Sequence, residues 1–485
     1  MKKIIAAFLA VVITLLSACG QPPAPTTSPG ETYPTTVTTT AEEYPTLIWY
    51  QVGSGQPENY DSWQRKVNAY LERKIGVHLD VRVIPWSDWA NVRAVILQTG
   101  EPYDLIFTDM ATYASDVRSG AFANLSRLIK KTPGLTEAIP EDYLNACMID
   151  RKLYGIPCHK DSSMTNFFVW TKADVEAHFP GYAEAHTLAD IDAGLRAIAK
   201  ATGKAPLLLN RTGLSSIISS RYDACTLGSI GIGIAYQGGT EFVPVFEQPD
   251  VLADLTLLQT WMAEGLINSD AAIRPEAAGM CTLGIAQGWP SAADAWGESR
   301  GAEVVISQYG DTVVSGDTVL GAITCLNAES QHKEEAMALL ELVNTDTTLR
   351  DMLWYGEEGY NFEYIQEDGV RKVQRINHEW TMAAYTQGNF FVSSPEVGSN
   401  GYVEVKAQND RAIPSPAFGF IPDTTGIQDE IDAVRAVVEG YRHLILTGTG
   451  RQDHIDAMMV AMRQSGFDTI LAEINAQYAA WLAEN

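Results

Sequence analysis

Aromatic and polar side chains stand beside one another at several places in this sequence, most of them at the ends of predicted strands or in predicted loops. An aromatic ring buries a large apolar area at little cost in conformational entropy, and planar polar groups form directional hydrogen bonds. This combination suits sugars, whose rings have apolar C–H faces and hydroxyl edges. We therefore predict the following ligand-binding residues: Tyr50, Gln51, Asp109, Tyr113, Lys160, Asp161, Gln287, Trp289, Asp294, Glu358, Tyr360, Asn361, Trp380 and Asn389.

The aromatic members of this set also have a structural interpretation, which the sequence leaves open. Tyr50 can be the last core residue of a strand, Trp289 can pack a turn, and Trp380 can be a core residue of a helix. For Trp86 and Trp89, we favour packing inside the protein over contact with a ligand. Local spacing does not separate the two roles, because both need an apolar ring beside ordered backbone.

The polar members have alternatives as well. Asp109 can cap a helix, and the Lys160–Asp161 pair can be exposed to solvent without a ligand. The acidic residues also leave hydrolysis open, because a glycosidase needs only two carboxylates that the fold brings together. Asp294 and the adjacent Glu357 and Glu358 are the candidates for such a pair.

Motifs of common catalytic and cofactor sites are absent from the sequence. It contains no P-loop, no G-x-S-x-G, no H-E-x-x-H and no complete G-x-G-x-x-G. The eight histidines are scattered, and the nearest pair, His178 and His186, has no metal-ligand spacing. We therefore predict a binding protein without enzymatic activity, cofactor or metal.

Composition excludes several classes of partner. The 485 residues include 34 Lys and Arg against 60 Asp and Glu, a net charge of −26. Nucleic-acid binding needs clustered cations, so we predict no nucleic-acid partner. A hydrophobic content of 46% is ordinary for a globular chain with two or three domains. No internal apolar run reaches the roughly 18 residues of a membrane span.

The N-terminus is typical of an exported protein. Lys2 and Lys3 precede an apolar stretch at 4–16, which is too short for a permanent membrane helix. The tetrapeptide LSAC at 16–19 resembles a bacterial lipobox, whose cysteine receives the lipid. We predict a lipoprotein signal peptide at 1–18, removed so that Cys19 becomes the lipidated first residue.

Residues 19–45, which begin with this cysteine, are rich in proline and threonine and cannot bury a core. We predict that they tether a folded body to the outer face of the cytoplasmic membrane, at the bacterial cell surface. The remaining five cysteines are odd in number and widely spaced, which favours buried free thiols. A bridge between Cys147 and Cys158 is the alternative.

The folded body alternates strands and helices. Apolar spacing predicts strands at 47–50, 77–83 and 105–107, with helices at 63–71 and 87–99 between them. This order predicts a parallel sheet whose ligands bind beyond the carboxyl ends of the strands. Further along, the patterns are as follows: strands at 167–170 and 319–323, helices at 190–200, 252–262 and 336–343, a hairpin around 367–369, and helices through the last 60 residues.

Several segments resemble one known family, the extracellular solute-binding proteins of ABC transporters (family 1 type). Within it the chain looks like the LipO-like lipoprotein branch, which carries a C-terminal domain of unknown function. The segments that carry the resemblance are TLIWY at 46–50, IPWSDW at 84–89, TGEPYDLIFTD at 99–109, GAFANLSRLI at 120–129, DRKLYGIP at 150–157, YGEEGYNFEY at 355–364, QGNFF at 387–391 and SPAFGFIPD at 415–423.

The resemblance implies an α/β protein with a two-lobe, periplasmic-binding-protein-like fold of type II, in which helices flank parallel or mixed sheets. It implies these regions: lobe 1 at 46–158 with part of 303–330 returning to it, lobe 2 at 159–302, helices, hairpin and loops completing the cleft at 331–415, and a helical C-terminal region at 416–485. The implied function is capture of an extracellular oligosaccharide by a monomer that delivers it to an ABC permease. A peptide or another cationic nutrient is the alternative ligand.

Overall fold

The computed structural model describes residues 44–277, 279–367, 369–399 and 401–484. The predicted signal peptide, Cys19 and nearly all of the predicted tether lie outside these residues. Within the described ranges, no helix is both long and apolar enough to cross a membrane.

Strands and short helices are interleaved along the whole folded body. The strands are β1 Thr46–Gly53, β2 His78–Pro85, β3 Leu105–Thr108, β4 Met148–Ile149, β5 Lys152–Leu153, β6 Gly155–Pro157, β7 Met164–Thr171, β8 Tyr222–Asp223, β9 Ile232–Ala235, β10 Val243–Pro244, β11 Leu283–Gln287, β12 Val304–Val314, β13 Ile323–Leu326, β14 Phe362–Glu367, β15 Val370–Arg375 and β16 Ile413–Pro414. The α-helices are α1 Tyr60–Ile75, α2 Trp86–Thr99, α3 Tyr113–Arg118, α4 Pro133–Ala138, α5 Glu141–Ala146, α6 Lys172–His178, α7 Leu188–Thr202, α8 Ser216–Ser219, α9 Pro249–Ala263, α10 Ala292–Arg300, α11 Gly316–Val319, α12 Lys333–Thr345, α13 Thr347–Tyr355, α14 Gly401–Arg411, α15 Gln428–Ile445, α16 Gln452–Gln464 and α17 Phe467–Glu484.

The first sheet has the strand order β2-β1-β3-β13-β6. Strands β1, β2 and β3 are parallel, as their alternation with α1 and α2 predicts. In β2 every second residue from Leu79 to Val83 is buried, which is the period of a strand covered on one face. Strand β13 enters antiparallel to both of its neighbours after a long excursion of the chain.

The second sheet has the order β11-β7-β12-β16, with β7 antiparallel to both β11 and β12. The predicted strand at 167–170 is the centre of β7, and its residues are buried on both faces. Strand β12 departs from regular register between Tyr309 and Val313, and its last two residues pair in parallel with β16. The sheet is thus completed by a strand from late in the chain.

Two separate hydrophobic cores account for most of the buried apolar residues. The first is built from residues between 47 and 158, between 314 and 353, and from Trp380 and Met382. The second is built from residues between 168 and 309 and from residues between 417 and 478. Helices α15, α16 and α17 therefore contribute to the second core. The predicted mixed α/β class with a helical C-terminal region is confirmed.

The chain passes between the cores after β6, within the last residues of β12 and near β16. At this point the prediction of a strand at 319–323 is wrong, because 316–319 forms α11 and β13 begins only at Ile323. Ser315 starts the helix as a cap and shares a capping box with Thr318. The apolar run at 319–323 contains the end of this helix and a turn, which periodicity over five residues does not resolve.

All five cysteines in the described part of the chain are unbridged, and only Cys281 among them is not fully buried. The prediction of free thiols is confirmed for these residues, and the alternative Cys147–Cys158 bridge is not formed. Burial raises the pKa of the Cys158 thiol to about 11 and that of Cys147 further, which keeps both thiols protonated and unreactive.

Candidate ligand-binding site

A cavity of about 300 Å³ lies beside a third, small hydrophobic cluster formed by Tyr355, Phe362 and Val373, against which Trp354 packs. Trp289 reaches it from the segment after β11 in the second sheet, whereas Trp354 and Tyr355 reach it from the end of α13. The complete lining is Lys160, Asp161, Trp289, Trp354, Tyr355, Tyr385, Phe390, Ser393, Ser394, Pro395, Glu396, Ser399, Gly401, Tyr402 and Val405.

Aromatic rings form most of the cavity wall. Trp354 packs on Phe390 with ring centroids 4.6 Å apart, and Phe390 stacks on Tyr402 at 5.7 Å with an interplanar angle of 27°. Trp289 lies close against Gly401, where an added Cβ would be 2.8 Å from the indole nitrogen. A glycine is therefore needed at the start of α14 to let this ring approach. The wall offers several flat apolar surfaces to a ligand.

The charged residues of the lining are paired within the protein. Lys160 Nζ lies 3.0 Å from Asp161 Oδ1, and Arg375 Nε donates to Glu396 Oε1 at 2.9 Å. The Arg375 guanidinium also lies over the Tyr355 ring, 4.8 Å from its centroid. A ligand therefore meets aromatic faces, serine hydroxyls and charges that are already compensated.

Helix α13 holds the segment 384–394, which supplies four of the lining residues. Arg350 is fully buried and donates from Nη2 to the Ala384 carbonyl at 2.7 Å and from Nε to the Asn389 carbonyl at 3.1 Å. Burial lowers the pKa of this guanidinium to about 10, so it remains charged at neutral pH. The charge interacts with these two backbone carbonyls and with the Trp354 ring, whose centroid lies 4.8 Å from Arg350 Cζ.

The other end of the segment is held by Asp351. This buried carboxylate accepts from the Ser394 backbone N–H and from the Ser394 hydroxyl, both at 2.7 Å. Burial raises its pKa, although these hydrogen bonds favour the charged form. In addition, Tyr355 Oη donates to the Ser394 carbonyl at 2.8 Å. Adjacent residues of one helix thus fix both ends of a cavity wall.

Of the predicted site residues, three line the cavity: Lys160, Asp161 and Trp289. Two more form hydrogen bonds that support the cavity-wall segment 384–394. Gln51 is fully buried and accepts a hydrogen bond from Thr386 Oγ1 at 2.7 Å, and Asn389 caps the turn 390–392 through its side chain. The remaining residues of the predicted set do not belong to the lining, and their contact with a ligand stays a prediction.

Four of those remaining residues are buried. Tyr50 donates to Glu101 at 2.6 Å, Tyr113 donates to the Cys147 carbonyl at 2.5 Å, and Trp380 donates to the Leu353 carbonyl at 2.9 Å. Asn361 accepts from the Glu357 backbone N–H at 2.9 Å. The strand-core interpretation of Tyr50 agrees with this placement, and each polar group is satisfied inside the protein.

The other five lie at or near the surface. Asp109 is half-buried and accepts from the Ala111 N–H at 3.0 Å, at the turn that leads into α3. Gln287, Asp294, Glu358 and Tyr360 are exposed. Asp294 lies on α10, whereas Glu357 and Glu358 lie in the turn before β14, so the three candidate carboxylates of a hydrolase are divided between two places. None of the three lines the cavity.

Five lining aromatics were not among the predicted site residues: Trp354, Tyr355, Tyr385, Phe390 and Tyr402. Tyr355 and Phe390 lie in segments that carried the family resemblance, so that resemblance pointed toward them. Trp354 lies on a helix whose apolar periodicity predicts a core residue at this position. Trp89 is buried as predicted, whereas 43% of Trp86 is exposed, and the prediction that Trp86 is a packed residue holds only in part.

Comparison with known proteins agrees with this architecture. Residues 67–359 match the family model described as bacterial extracellular solute-binding protein, and residues 416–483 match a domain of unknown function, DUF3502. A carbohydrate ABC transporter substrate-binding protein from Streptococcus pneumoniae is 26% identical over 456 residues, which cover 90% of this chain and 91% of the relative.

Solved structures share the fold at lower identity. The N-glycan transport solute binding protein NgtS from Streptococcus pneumoniae superposes with a TM-score of 0.80 at 24% identity, over 90% of this chain and 99% of that one. Its complex with Man1GlcNAc gives a TM-score of 0.69 at 23% identity, over 90% and 100%. An HMO-binding solute-binding protein from Bifidobacterium longum infantis gives 0.64 at 15% identity, over 90% and 99%. With its two cores, its cavity and a family match over more than half its length, the chain belongs to the bacterial extracellular solute-binding proteins.

Proposed function

We propose that this protein binds a neutral oligosaccharide in this cavity and delivers it to an ABC permease. The observation that carries the proposal is the lining itself, in which six aromatic side chains surround charges that are paired within the protein. Aromatic faces match the C–H faces of sugar rings, and the serine hydroxyls can exchange hydrogen bonds with sugar hydroxyls.

The relatives support the same ligand class. The pneumococcal relative is a carbohydrate transporter component, and the NgtS complexes contain Man1GlcNAc and Man5GlcNAc. The chain is 26% identical to that relative, so the individual sugar is a separate question.

A cationic peptide or nutrient remains the second candidate, because the net charge of −26 favours cations in general. The lining argues against it. Asp161 is already paired with Lys160, and Glu396 is paired with Arg375. A cationic ligand would have to displace one of these partners, whereas a neutral glycan leaves both pairs intact.

We further propose that the two cores are the two predicted lobes, which close over the ligand by rotation about the segments after β6, at the end of β12 and near β16. The protein acts as a monomer that binds without catalysing a reaction.

The protein is held at the cell surface by a lipid on Cys19. Replacing Cys19 by Ser is expected to release the protein from the membrane fraction, and retention of the variant there would contradict the anchor.

Calorimetric titration tests the ligand class. We expect binding of neutral oligosaccharides, and no binding of uronic-acid oligosaccharides or of lysine-rich peptides. Trp289→Ala should lower affinity for the glycan at least about tenfold, or about 1.4 kcal/mol, because it removes a wall of the cavity. Val460→Ala is the control, since that side chain is 55% exposed on α16 and does not line the cavity. Binding of a peptide without binding of any glycan would refute the proposal.

A further inference from the structure

Two exposed aromatic side chains stand together at the edge of the cavity. Trp86 is 43% exposed and Tyr385 is 47% exposed. Their ring centroids are 6.2 Å apart and their planes differ by 8°, which is offset stacking. Tyr385 also lines the cavity, so the exposed pair continues the cavity wall outward.

The pairing is unusual for the surface of this protein. Among the residues that the structure describes, the exposed aromatic side chains are Trp86, Tyr360 and Tyr385, and two of these three stack on each other. Single exposed apolar side chains need no explanation, but a contiguous apolar surface beside a binding cavity is typical of a ligand contact.

Both rings are held in place by contacts with buried residues or by neighbours that such residues fix. Trp86 begins α2, directly after the carboxyl end of β2, and packs edge-on against the buried Phe107 at 5.7 Å. Tyr385 is flanked by two fixed residues. The Ala384 carbonyl accepts from Arg350, and the Thr386 hydroxyl donates to Gln51, each at 2.7 Å. Side chains that are fixed before binding lose little conformational entropy when a ligand binds to them.

The size of the cavity explains why such a surface is useful. A volume of about 300 Å³ is at the lower end of the range for small-molecule sites, roughly 300–1,000 Å³. A glycan of several sugar units must therefore extend beyond the cavity. Its path over Tyr385 leads to Trp86, where a further sugar ring can lay its C–H face on aromatic carbon.

We propose that Trp86 and Tyr385 form an outer subsite, which binds sugar units beyond those in the cavity and makes affinity depend on glycan length. This inference rests on the proposed function and adds a length preference to it. Trp86 is the specificity-determining residue, because it contacts only the outer units. Tyr385 serves both the cavity and the outer subsite.

Titration of the whole protein with a neutral mannose-containing disaccharide and with a pentasaccharide of the same series tests the subsite. The wild-type protein should bind the pentasaccharide more tightly. Trp86→Ala should weaken pentasaccharide binding about tenfold and change disaccharide binding less than twofold. Trp86→Phe, which keeps a ring against Phe107, should recover most of the loss. Val460→Ala, which shortens a side chain that is 55% exposed on α16, should change neither affinity.

Two results would overturn the subsite. One is an equal loss for both glycans in Trp86→Ala, which would mean that Trp86 acts through folding or through the cavity. The other is no loss for either glycan. In both cases the proposed function survives, because the wild-type protein still binds sugar. A wild-type protein that binds neither glycan while binding a peptide would instead refute the proposed function, and the subsite with it.

Discussion

At the scale of single residues, the most consequential group outside the cavity is a pair of neighbouring carboxylates, the buried Asp223 and the half-buried Asp317. Asp223 lies on β8, and Asp317 lies on α11, just after the chain crosses between the cores. The backbone N–H of Cys225 donates to Asp223 at 2.9 Å, and that of Thr226 donates to Asp317 at 2.6 Å. To do so, Cys225 and Thr226 take left-handed conformations with φ of 49° and 64°.

The pair makes stability depend on pH. Burial raises the pKa of Asp223; burial and then repulsion from Asp223 raise the pKa of Asp317 to about 7. A pKa above the unfolded value of about 3.9 means that the folded state holds the proton more tightly. This stabilisation is complete below about pH 4 and is lost as pH rises through about 7. Buried Tyr236 and Cys225 face the same pair and stay neutral in this range.

Asp317→Asn should therefore raise the melting temperature at pH 8 by about 2 °C or more, with little change at pH 5. The amide oxygen can still accept from Thr226, while the negative charge beside Asp223 is removed. Thermal unfolding at a series of pH values measures the effect. Asp294→Asn, at an exposed carboxylate on α10, is the matched control and should leave the curve unchanged. Parallel curves for wild-type and Asp317→Asn would show that the pair does not titrate in this range.

At the scale of elements, α13 and the C-terminal helices carry different tasks. Helix α13 supplies Trp354 and Tyr355 to the cavity and fixes the segment 384–394 through Arg350 and Asp351. Helices α15, α16 and α17 instead cover the second core, where Ile474 is fully buried. Helix α13 therefore shapes the cavity wall, whereas α15, α16 and α17 contribute buried residues to the second core.

Replacing Arg350 with Gln should weaken glycan binding about tenfold or more. Glutamine cannot reach the carbonyls of Ala384 and Asn389 together, so the cavity wall loses its support, and free carbonyls are left buried. Calorimetry gives the affinity, and far-UV circular dichroism confirms folding. Arg371→Gln is the control, because that side chain is 43% exposed and approaches Asp351 only to 3.9 Å. Equal affinities for the wild-type protein and Arg350→Gln would contradict the supporting role.

Two aspartate substitutions on α17 test the role of the C-terminal helices. Ile474→Asp places a charge in the second core and should lower the free energy of unfolding by more than about 4 kcal/mol, or prevent folding. Leu482→Asp, on the same helix at a side chain that is 49% exposed, should be nearly neutral. Thermal unfolding and limited proteolysis compare the two. If Ile474→Asp had a melting temperature no lower than that of Leu482→Asp, helix α17 would not belong to the second core.

At the scale of the whole molecule, several segments join the two cores, and no disulfide links the cysteines of the described residues. Stability must come from apolar burial in each core. In a chain with Cys19 replaced by Ser, thiol titration should show five reactive groups after denaturation without reductant. In the folded protein, Cys281 should react first, because the other four are fully buried. Fewer than five thiols after denaturation would indicate a disulfide.

The sequence alone determined most of the local elements and indicated the family. Periodicity placed β1, α1, β2, α2 and β3 because burial of one face depends only on neighbours a few residues away. Lys160, Asp161 and Trp289, which the sequence predicts as ligand-binding residues, line the cavity, and each follows or precedes a recognisable strand.

Only the tertiary structure decided which aromatic residues face the cavity. Tyr50 and Trp380 have the same local pattern as lining residues, yet both are buried, whereas Trp354 and Tyr402 lie on helices and reach the cavity. The lining comes from segments separated by up to 245 positions, from Lys160 to Val405. Periodicity states that a ring is covered on one side, and the packing of distant elements determines whether the other side meets protein or a ligand.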